Sequence, residues 1–394
     1  MTSRFKALPP GSTLGVMGGG QLGRMFVHAA QTLGYQTVVL DPDLQSPAGR
    51  VSHHHITTAY TDATGLKQMA EMCDAVTTEF ENVPAASLQQ LMQTVCVSPQ
   101  AHAVAIAQDR AEEKKYFVQC DVPVAPHHVI LHTNDLQKIN AALLPGILKT
   151  TRMGYDGKGQ VRVNNDYELK NAWHALQGTS TTPVVCILEK MLSLTAECSV
   201  IVARSHDGQM VHLPVQCNLH RNGILAITEV FKNNLKPAFE QQAIESAKKI
   251  AQGLQYIGVL CVEFFVLSDG SLLVNEIAPR PHNSGHYSIN GCDVSQFELQ
   301  VRCMAGLPLT QPRLHSASIL LNLLGDLWHT PNNSMRQPNW SQVLSLSGMH
   351  LHLYGKNEAK VGRKMGHLTV TGVDIQETRQ RAHQAASILG IDTW

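Results

Sequence analysis

The chain has 394 residues, of which 43% are hydrophobic and 16% charged, and its 31 basic residues balance its 31 acidic residues. This composition is typical of a globular protein with two or three domains, and the neutral charge disfavours nucleic-acid binding. No apolar run approaches the roughly 18 residues that a membrane span needs, and the first residues lack a signal-peptide pattern. The nine cysteines form no CxxC pair, so we expect a reduced, cytoplasmic protein without disulfide bonds or a zinc site.

The N-terminal segment has the pattern of a nucleotide-binding βαβ unit. An apolar strand over 13–17 leads into a glycine turn, 18–23, that matches GxGxxG, and apolar residues then recur at helical spacing. A second strand ends at Asp41, about where a dinucleotide-binding enzyme holds a ribose. A single GxGxxG is weak evidence for a dinucleotide site, and the alternative is that the glycines let the backbone approach a different phosphate. Both interpretations predict a parallel sheet.

Further elements extend this unit and suggest where it ends. We expect a strand over 75–80, and then a single helix that has Ser98 as its N-cap and continues past Asp109. A proline-rich connection follows this helix. The predicted boundaries are 1–120 for a Rossmann-like domain, 121–188 for a small unit around a glycine loop, 189–309 for a third unit, and 310–394 for a tail of short strands with a final helix.

Two glutamates on neighbouring strands give the most informative local pattern. The strands flank Asp269-Gly270, a preferred centre for a two-residue hairpin turn. Such a turn places Glu263 directly opposite Glu276, with Cβ atoms about 4.5–5.5 Å apart. Because two like charges repel at that distance, the pair predicts a divalent-cation site, and carboxylate oxygens suit magnesium. The alternatives are that both side chains face solvent, or that one strand carries a bulge.

A glycine-rich loop over 154–160 follows a strand that carries Lys149. Glycine permits positive φ and close backbone approach, so successive amides can face phosphate oxygens. The loop lacks the Gly-Lys-Ser/Thr ending of a Walker A motif. We therefore predict a phosphate-binding loop with Lys149 beside it, and a plain hairpin turn is the alternative.

Seven motifs occur in a fixed order along the whole chain, at 18–25, 78–83, 108–110, 154–160, 275–280, 282–286 and 362–367. In this order they resemble the ATP-grasp superfamily, and in detail they resemble the N5-carboxyaminoimidazole ribonucleotide synthetase family. The resemblance implies an α/β fold with an α+β lid. The implied architecture has an N-terminal Rossmann-like parallel-sheet domain, a small lid domain and a C-terminal catalytic domain, with the tail completing the ribonucleotide site.

The resemblance also implies an activity. It is the ATP- and bicarbonate-dependent carboxylation of 5-aminoimidazole ribonucleotide at N5, through carboxyphosphate, in de novo purine biosynthesis. The implied cofactor is magnesium, with manganese as an alternative, and the implied partners are small-molecule substrates rather than nucleic acid or a membrane. A homodimer and a cytoplasmic location follow from the same resemblance.

Individual residues receive roles from the resemblance. Glu263 and Glu276 are implied to bind the metal. The residues implied to be catalytic are Tyr155, Asp156, Lys158 and Arg280. Those implied to bind ATP are Arg110, Lys149, Gly154, Gly157, Gly159, Gln160, Glu189, Lys190, Met191, Leu192, Glu197, His220, Asn275 and Glu276. Those implied to bind the ribonucleotide are Gly20, Gln21, Leu22, Glu79, Asn283, Lys356, Arg363 and Lys364.

Two positions depart from the family pattern. Ala278 stands where many ATP-grasp enzymes have an asparagine two residues after the second metal glutamate, which leaves the third metal ligand open. Lys158 stands where arginine is common, so the charge is kept but the bidentate fork is lost.

Other functions compete with this assignment. A formate-dependent glycinamide ribonucleotide transformylase shares the fold and differs in the acyl donor, but Tyr155-Asp156 in the glycine loop favours carboxylation. A biotin carboxylase is disfavoured because its Met-Lys-Met signature is missing. A non-catalytic nucleotide-binding protein on this fold is expected to have lost one of the charged residues implied to bind ATP or metal. An NAD oxidoreductase is supported only by GxGxxG and Asp41.

Overall fold

A computed structural model of the chain describes residues 6–79, 81–152, 159–178, 183–330, 332, 334–392 and 394, which fold into three sheets with helices packed around them. The strands are β1 (Thr13–Met17), β2 (Gln36–Leu40), β3 (His54–Ile56), β4 (Ala75–Thr78), β5 (Cys96–Val97), β6 (His127–Ile130), β7 (Gly146–Thr150), β8 (Gln160–Val163), β9 (Cys186–Lys190), β10 (Leu194–Arg204), β11 (Met210–His212), β12 (Gln216–Arg221), β13 (Ile224–Val230), β14 (Gly258–Leu267), β15 (Leu272–Ala278), β16 (Ala317–Leu324), β17 (Met349–Leu353) and β18 (Lys364–Gly372).

The helices are α1 (Gln21–Thr32), α2 (Ala63–Met72), α3 (Ala85–Leu91), α4 (Ala101–Ala107), α5 (Arg110–Gln119), α6 (Asp166–Gln177), α7 (Pro237–Gly253), α8 (Ser288–Gly291), α9 (Gln296–Ala305), α10 (Trp340–Leu344) and α11 (Ile375–Leu389). Short 3-10 turns occupy Thr133–Lys138, Ala141–Leu143, Asn283–Gly285 and Gly325–Trp328. Among the helices described here, none combines the length and the apolar composition that a bilayer crossing requires.

A parallel sheet in the order β3-β2-β1-β4-β5 forms the N-terminal unit. The central strands are almost wholly buried because helices cover both faces of such a sheet. Helix α1 packs beside β1 through Phe26 and also contacts Phe297 and Met304 of α9. The predicted Rossmann-like sheet is confirmed, and the carboxyl ends of its strands meet at the edge where open parallel sheets bind ligands.

The lid is an antiparallel sheet in the order β6-β9-β7-β8, with α6 packed on it through Leu169 and Trp173. Strands β7 and β8 pair in register from Gly146 to Lys149, so they form the hairpin that carries the glycine loop. The boundary that we predicted at 188 lies inside β9, which ends at Lys190.

The catalytic sheet runs in the order β15-β14-β10-β12-β13-β16-β18-β17, and β11 pairs with β10. The buried face of α7, with Ala243, Ala247 and Ile250, packs against it. Since β16 pairs with β13, the tail predicted over 310–394 extends this sheet instead of forming one of its own.

The single helix that we predicted from Ser98 is wrong, because the segment forms two helices. Gln100 precedes α4, and the side chain of Asp109 accepts hydrogen bonds from the N–H groups of Ala111 and Glu112. Asp109 is therefore the N-cap of α5. This break places Arg110 in the first turn of α5. The predicted strand over 75–80 ends at Thr78, and residue 80 lies outside the described part.

The turn between β14 and β15 also differs from the prediction. The N–H of Leu267 donates to the carbonyl oxygen of Ser271 over 2.9 Å, and Gly270 has a φ of +85°. The loop therefore has three residues, with glycine in the left-handed conformation that this hairpin type requires. As a result Phe264 pairs with Val274, one residue away from the predicted register.

A β-bulge then restores the predicted register beyond the glutamates. Val262 pairs with Ile277 as predicted, and the shift between Val262 and Phe264 leaves Glu263 facing both Asn275 and Glu276. The direct pairing of Glu263 with Glu276 is thus wrong, and the bulge that we named as an alternative is present. A bulge redirects a side chain and often lies beside an active site.

Candidate active site

A cavity of about 380 Å³ lies where the carboxyl ends of β1, β2 and β4 meet the segment after β15 and the loop before β18. The parallel sheet contributes carboxylates to it, and the later segments contribute cations. Arg280, assigned from the resemblance to catalysis, also lines it. All residues assigned to the ribonucleotide line this cavity: Gly20, Gln21, Leu22, Glu79, Asn283, Lys356, Arg363 and Lys364. Sequence reasoning missed other lining residues: Asp43, Ser46, Tyr60, His282 and His286.

Protein carboxylates bind the backbone of the glycine turn. The N–H of Gly19 donates to Asp41 over 2.6 Å, and those of Gly20 and Gly23 donate to the two oxygens of Glu79 over 2.5 and 2.7 Å. A Cβ at Gly20 would lie 2.3 Å from Glu79 Oε1, so a larger residue there would displace this carboxylate. Burial raises the pKa of Glu79, and these two amides oppose the rise. The amides that a dinucleotide would need are already occupied.

The cations of the cavity are held by the protein as well. Arg280 Nε donates to Glu81 Oε2 over 2.5 Å, and this charge keeps the pKa of Glu81 below its ordinary value although burial opposes it. Lys356 Nζ donates to the carbonyl oxygen of Lys364 over 2.7 Å. The partner Glu81 was not singled out in the sequence, although it lies within one of the motifs.

Asn283 offers a different kind of group to the cavity. Its side chain is only 8% exposed, and within the part of the chain that the structure describes neither its amide nitrogen nor its amide oxygen has a hydrogen-bond partner. A buried amide without partners is costly, so it is expected to be satisfied by a ligand. Asn283 therefore marks this cavity as a binding site.

A second set of side chains lies between the lid and the catalytic sheet. We call it the charged cluster, and its members are Arg110, Glu113, Lys114, Lys149, Glu189, Glu263 and Glu276. Arg110 Nη1 donates to Glu276 Oε2 over 2.8 Å. Lys149 Nζ donates to Glu189 Oε2 over 3.0 Å, and Lys114 Nζ lies 3.7 Å from the other oxygen of Glu189.

Burial and the neighbouring charges of this cluster together set the pKa of its carboxyl groups. Burial, and then the charge of Glu276, raises the pKa of Glu263 to about 7. Burial opposes ionisation of Glu276 and Glu189 too, but Arg110 keeps the pKa of Glu276 low and Lys114 with Lys149 lowers that of Glu189 to about 2. Ionised Glu263 is therefore unfavourable beside Glu276. A divalent cation would remove this repulsion, so the two residues fit magnesium.

A softer metal site is less well supported. Among the residues described, a group whose ligand atoms lie within 4.8 Å of one another is Cys261, Glu263 and His282. The thiol of Cys261 is fully buried and its pKa is raised by burial, and His282 Nδ1 accepts the N–H of Ser284 while Nε2 lies 3.1 Å from Glu263. This group therefore fits a metal less well than the two glutamates do.

Other residues assigned to ATP lie around the charged cluster. His220 Nδ1 lies 2.7 Å from Glu197 Oε2. The N–H groups of Lys190 and Met191 donate to the carbonyl oxygens of Pro126 and Pro145, so those two amides do not face a ligand. Gln160 pairs with Lys149 across the lid hairpin, Asn275 contributes a carbonyl oxygen that accepts from Lys114, and Leu192 follows β9.

The glycine loop itself is only partly described. Gly159 has a φ of +71°, and its carbonyl oxygen accepts the N–H of Thr150 over 2.9 Å. Residues 153–158 lie outside the described part of the chain. Five residues with predicted roles therefore lie outside the described part: Gly154, Tyr155, Asp156, Gly157 and Lys158.

Sequence reasoning missed Glu113 and Lys114, each only 2% exposed in α5. Burial, and then the charge of Glu276, raises the pKa of Glu113 to about 8, and burial lowers that of Lys114. The only available signal was their spacing of three and four residues from Arg110, which puts all three on one helix face.

Three family models match consecutive parts of the chain. They are the ribonucleotide synthetase preATP-grasp domain over residues 12–108, the ATP-grasp domain over 115–297 and the phosphoribosylaminoimidazole carboxylase C-terminal domain over 318–381. Together they span most of the chain and place its segments in the order in which the structure shows them.

Relatives and solved structures agree with these matches. An N5-carboxyaminoimidazole ribonucleotide synthase of Staphylococcus aureus (strain COL) is 40% identical over 95% of this chain and 97% of its own, and one of Brucella melitensis is 41% identical over 92% and 97%. The ADP complex of an N5-carboxyaminoimidazole ribonucleotide synthetase is 37% identical, covers 99% of both chains and has a TM-score of 0.89. The Aspergillus clavatus enzyme, in complex with ADP and 5-aminoimidazole ribonucleotide, is 31% identical, covers 97% and 99%, and has a TM-score of 0.85. The chain therefore belongs to the N5-carboxyaminoimidazole ribonucleotide synthase family and is an ATP-dependent ligase of ATP-grasp architecture.

Proposed function

We propose that the cavity and the charged cluster together carry out the ATP- and bicarbonate-dependent carboxylation of 5-aminoimidazole ribonucleotide at N5. The observation that carries the proposal is that His282 lines the cavity and also contacts Glu263 of the charged cluster at 3.1 Å. A ribonucleotide in the cavity would lie beside the phosphate end of a nucleotide bound to the cluster. Relatives solved with ATP, and with ADP and 5-aminoimidazole ribonucleotide, support both ligands.

The cavity suits a ribonucleotide because it offers both acceptors and cations. Asp41 and Glu79 contribute carboxylates, while Lys356, Arg363 and Lys364 contribute positive charge. A ribonucleotide phosphate is expected to bind the cations, since charge-assisted hydrogen bonds to phosphate are among the stronger ones. Its hydroxyl and amine groups are donors and suit the carboxylates.

The charged cluster suits the phosphates of ATP. Arg110 and Lys149 would bind them, and magnesium held by Glu263 and Glu276 would neutralise the charge that develops in phosphoryl transfer. Both cations now bind carboxylates of the protein, which keeps them in place before the nucleotide arrives.

The reaction proceeds in two steps. A bicarbonate oxygen attacks the γ-phosphorus of ATP, ADP leaves, and carboxyphosphate forms. Carboxyphosphate breaks into carbon dioxide and phosphate, and the N5 amine bonds to the carbon and loses a proton. Since carboxyphosphate hydrolyses readily, the glycine loop must exclude water. We propose Asp156 in this loop as the proton acceptor, with Tyr155, Lys158 and Arg280 bordering the same site.

The proposal extends to the working form of the protein. We propose a homodimer, as in the family resemblance, and a cytoplasmic location. All nine cysteines are free, which suits a reducing compartment.

A direct assay tests this function. Purified protein is incubated with ATP, magnesium and bicarbonate, and ADP release is followed with and without 5-aminoimidazole ribonucleotide. We expect strong stimulation by the ribonucleotide. A protein that ignores it but responds to formate and glycinamide ribonucleotide would be the sister ligase. In the same assay Asp156→Ala should bind ATP nearly normally and turn over much more slowly, and unchanged turnover would remove Asp156 from the mechanism.

A further inference from the structure

The edge strand β15 carries Glu276 at its bulge, and two buried side chains of α5 bind the backbone on either side of it. Glu113 Oε1 accepts the N–H of Ile277 over 2.8 Å, and Lys114 Nζ donates to the carbonyl oxygen of Asn275 over 2.8 Å. An edge strand has a row of backbone groups without a strand partner, and a bulge disturbs the pairing further. The two side chains thus act in place of a neighbouring strand at the position of Glu276.

The same helix face also binds the carboxylate of Glu276. Arg110 precedes Glu113 and Lys114 by three and four residues, so all three side chains lie on one face of α5. Its Nη1 donates to Glu276 Oε2 over 2.8 Å. One rigid helix therefore fixes both flanking peptide groups and the side chain of Glu276.

Lys114 connects this strand with the lid. Its Nζ lies 3.7 Å from Glu189 Oε1, and Glu189 Oε2 accepts from Lys149 over 3.0 Å. Glu189 belongs to β9 and begins the segment 189–192, which the resemblance assigns to ATP. Lys114 therefore donates a hydrogen bond to the catalytic sheet and also forms an ion pair with the lid.

We propose that Glu113 and Lys114 are positioning residues, which hold Glu276 in place for the metal-bound nucleotide and fix it relative to Glu189. This inference rests on the proposed binding of ATP to the charged cluster. Stability alone does not account for the pair, because buried ionic groups add little net stability compared with apolar side chains of similar size. Glu113 instead supplies an acceptor for the N–H of Ile277, and Lys114 supplies a donor for the carbonyl oxygen of Asn275.

The test uses full-length protein, with one substitution at Lys114 and two at Glu113. Lys114→Met and Glu113→Leu each remove a bond to β15, whereas Glu113→Gln keeps a carboxamide oxygen that can still accept the N–H of Ile277. The matched controls are Lys115→Met and Glu112→Gln, since these neighbours on α5 have exposed side chains that pair with each other at 3.3 Å. The double variant Glu113→Leu/Lys114→Met is included because Lys114→Met alone leaves buried carboxylates uncompensated.

The readouts are the Kd for ADP with and without Mg²⁺, measured by calorimetry in the absence of ribonucleotide, and the Tm of each variant. Lys114→Met, Glu113→Leu and the double variant should weaken binding of ADP with Mg²⁺ at least tenfold, at a temperature where each is folded. Glu113→Gln and both controls should stay within about twofold of the wild type.

Two outcomes would overturn the proposal. One is an ADP affinity that stays within twofold of the wild type in Lys114→Met, Glu113→Leu and the double variant. Even if the Tm of these variants falls, Glu113 and Lys114 would then have a purely structural role. The other is a Glu113→Gln variant as weak as Glu113→Leu, since the retained acceptor would then be irrelevant. The proposed function is judged separately, by whether the ribonucleotide stimulates ADP release from the wild type, and this binding comparison does not depend on that result.

Discussion

Glu79 accepts the N–H of Gly20 over 2.5 Å, so a protein carboxylate closes the glycine turn at the start of α1. Its second oxygen accepts the N–H of Gly23 over 2.7 Å. The N-terminus of a helix attracts anions, and in a dinucleotide-binding enzyme a pyrophosphate lies there. Glu79 takes that position in this chain, which separates the Rossmann-like fold from a dinucleotide function.

This relationship predicts the effect of Glu79→Gln. The carboxamide can accept only one of the two amides, so the turn that carries Gln21 and Leu22 into the cavity should loosen. We expect the KM for the ribonucleotide to rise at least tenfold, while the Kd for ADP stays within about twofold. Steady-state ADP release and calorimetry measure the two quantities. An equal loss of ADP affinity would show that Glu79 acts on the whole molecule rather than on the cavity.

A second prediction concerns the cations of the cavity. Lys364→Met and Arg363→Met should each raise the KM for the ribonucleotide about 10–100-fold, because a hydrogen bond to a charged group contributes about 1.5–3 kcal/mol. The control is Lys360→Met, since Lys360 is exposed and pairs with Glu358 at 3.0 Å.

The same variants distinguish phosphate binding from general disruption. The nucleoside without its phosphate should be a poor substrate for the wild type, and Lys364→Met should change its kinetics little. If the nucleoside and the ribonucleotide lose activity by the same factor, Lys364 does not bind the phosphate.

A third prediction follows from the pKa of Glu263, which is raised to about 7 from its ordinary value of 4.5. The folded protein then holds a proton that the unfolded chain has lost between these values, so the stability of the ligand-free protein should fall as the pH rises through 7. Glu263→Gln cannot ionise and removes this loss. At pH 8.5 the variant should be more stable than the wild type by about 1–3 kcal/mol, and at pH 5 nearly equal to it.

Chemical unfolding at the two pH values measures this difference, and Mg²⁺ provides the control. The ion should stabilise the wild type at pH 8.5 more than the variant, because only the wild type has both carboxylates. ADP release by Glu263→Gln should fall at least a hundredfold. A variant that is no more stable than the wild type at pH 8.5 would contradict the repulsion between Glu263 and Glu276.

Much of this site was predictable from the sequence, and the limits have physical reasons. Local patterns predicted the parallel sheet and the lid hairpin, because such patterns fix strands and turns, whereas the residues that line the cavity were implied by the family resemblance. The register of β15 was not predictable, since it depends on Gly270 adopting a positive φ and on a bulge further along the strand.

Partners far apart in the chain were also beyond sequence reasoning. Glu113 and Lys114 bind backbone groups more than 160 residues away, and their spacing from Arg110 is the one local feature of α5 that distinguishes them from the exposed charges beside them. The split between α4 and α5 was missed because the N-cap Asp109 lies within a run that is rich in helix-favouring alanine, glutamate and lysine. Only the packing of the whole chain decides these features.

The last prediction concerns stability in acid and starts from a histidine cluster behind the cavity. His286 lines the cavity, its ring centroid lies 4.9 Å from that of His367, and His352 stacks on His367 at 4.5 Å. Burial, and then the neighbouring imidazoles, lowers the pKa of His286 and His367 well below the ordinary 6.5. The unfolded chain therefore binds protons first, and the folded protein should lose about 1.4 kcal/mol per pH unit for each of these two histidines as the pH falls below 6.5.

His367→Asn tests this loss of stability in acid, because asparagine cannot take up a proton. Its amide oxygen can still accept a hydrogen bond from Tyr354, whose hydroxyl lies 2.9 Å from His367 Nδ1. Urea unfolding between pH 5 and 7 should show a shallower loss of stability in this variant, while the exposed His54→Asn should behave like the wild type. An unchanged slope in His367→Asn would mean that its ring does not titrate on unfolding. If the slope does change, acid acts on the wall of the ribonucleotide cavity, so the affinity for the ribonucleotide should fall with pH before the affinity for ADP does.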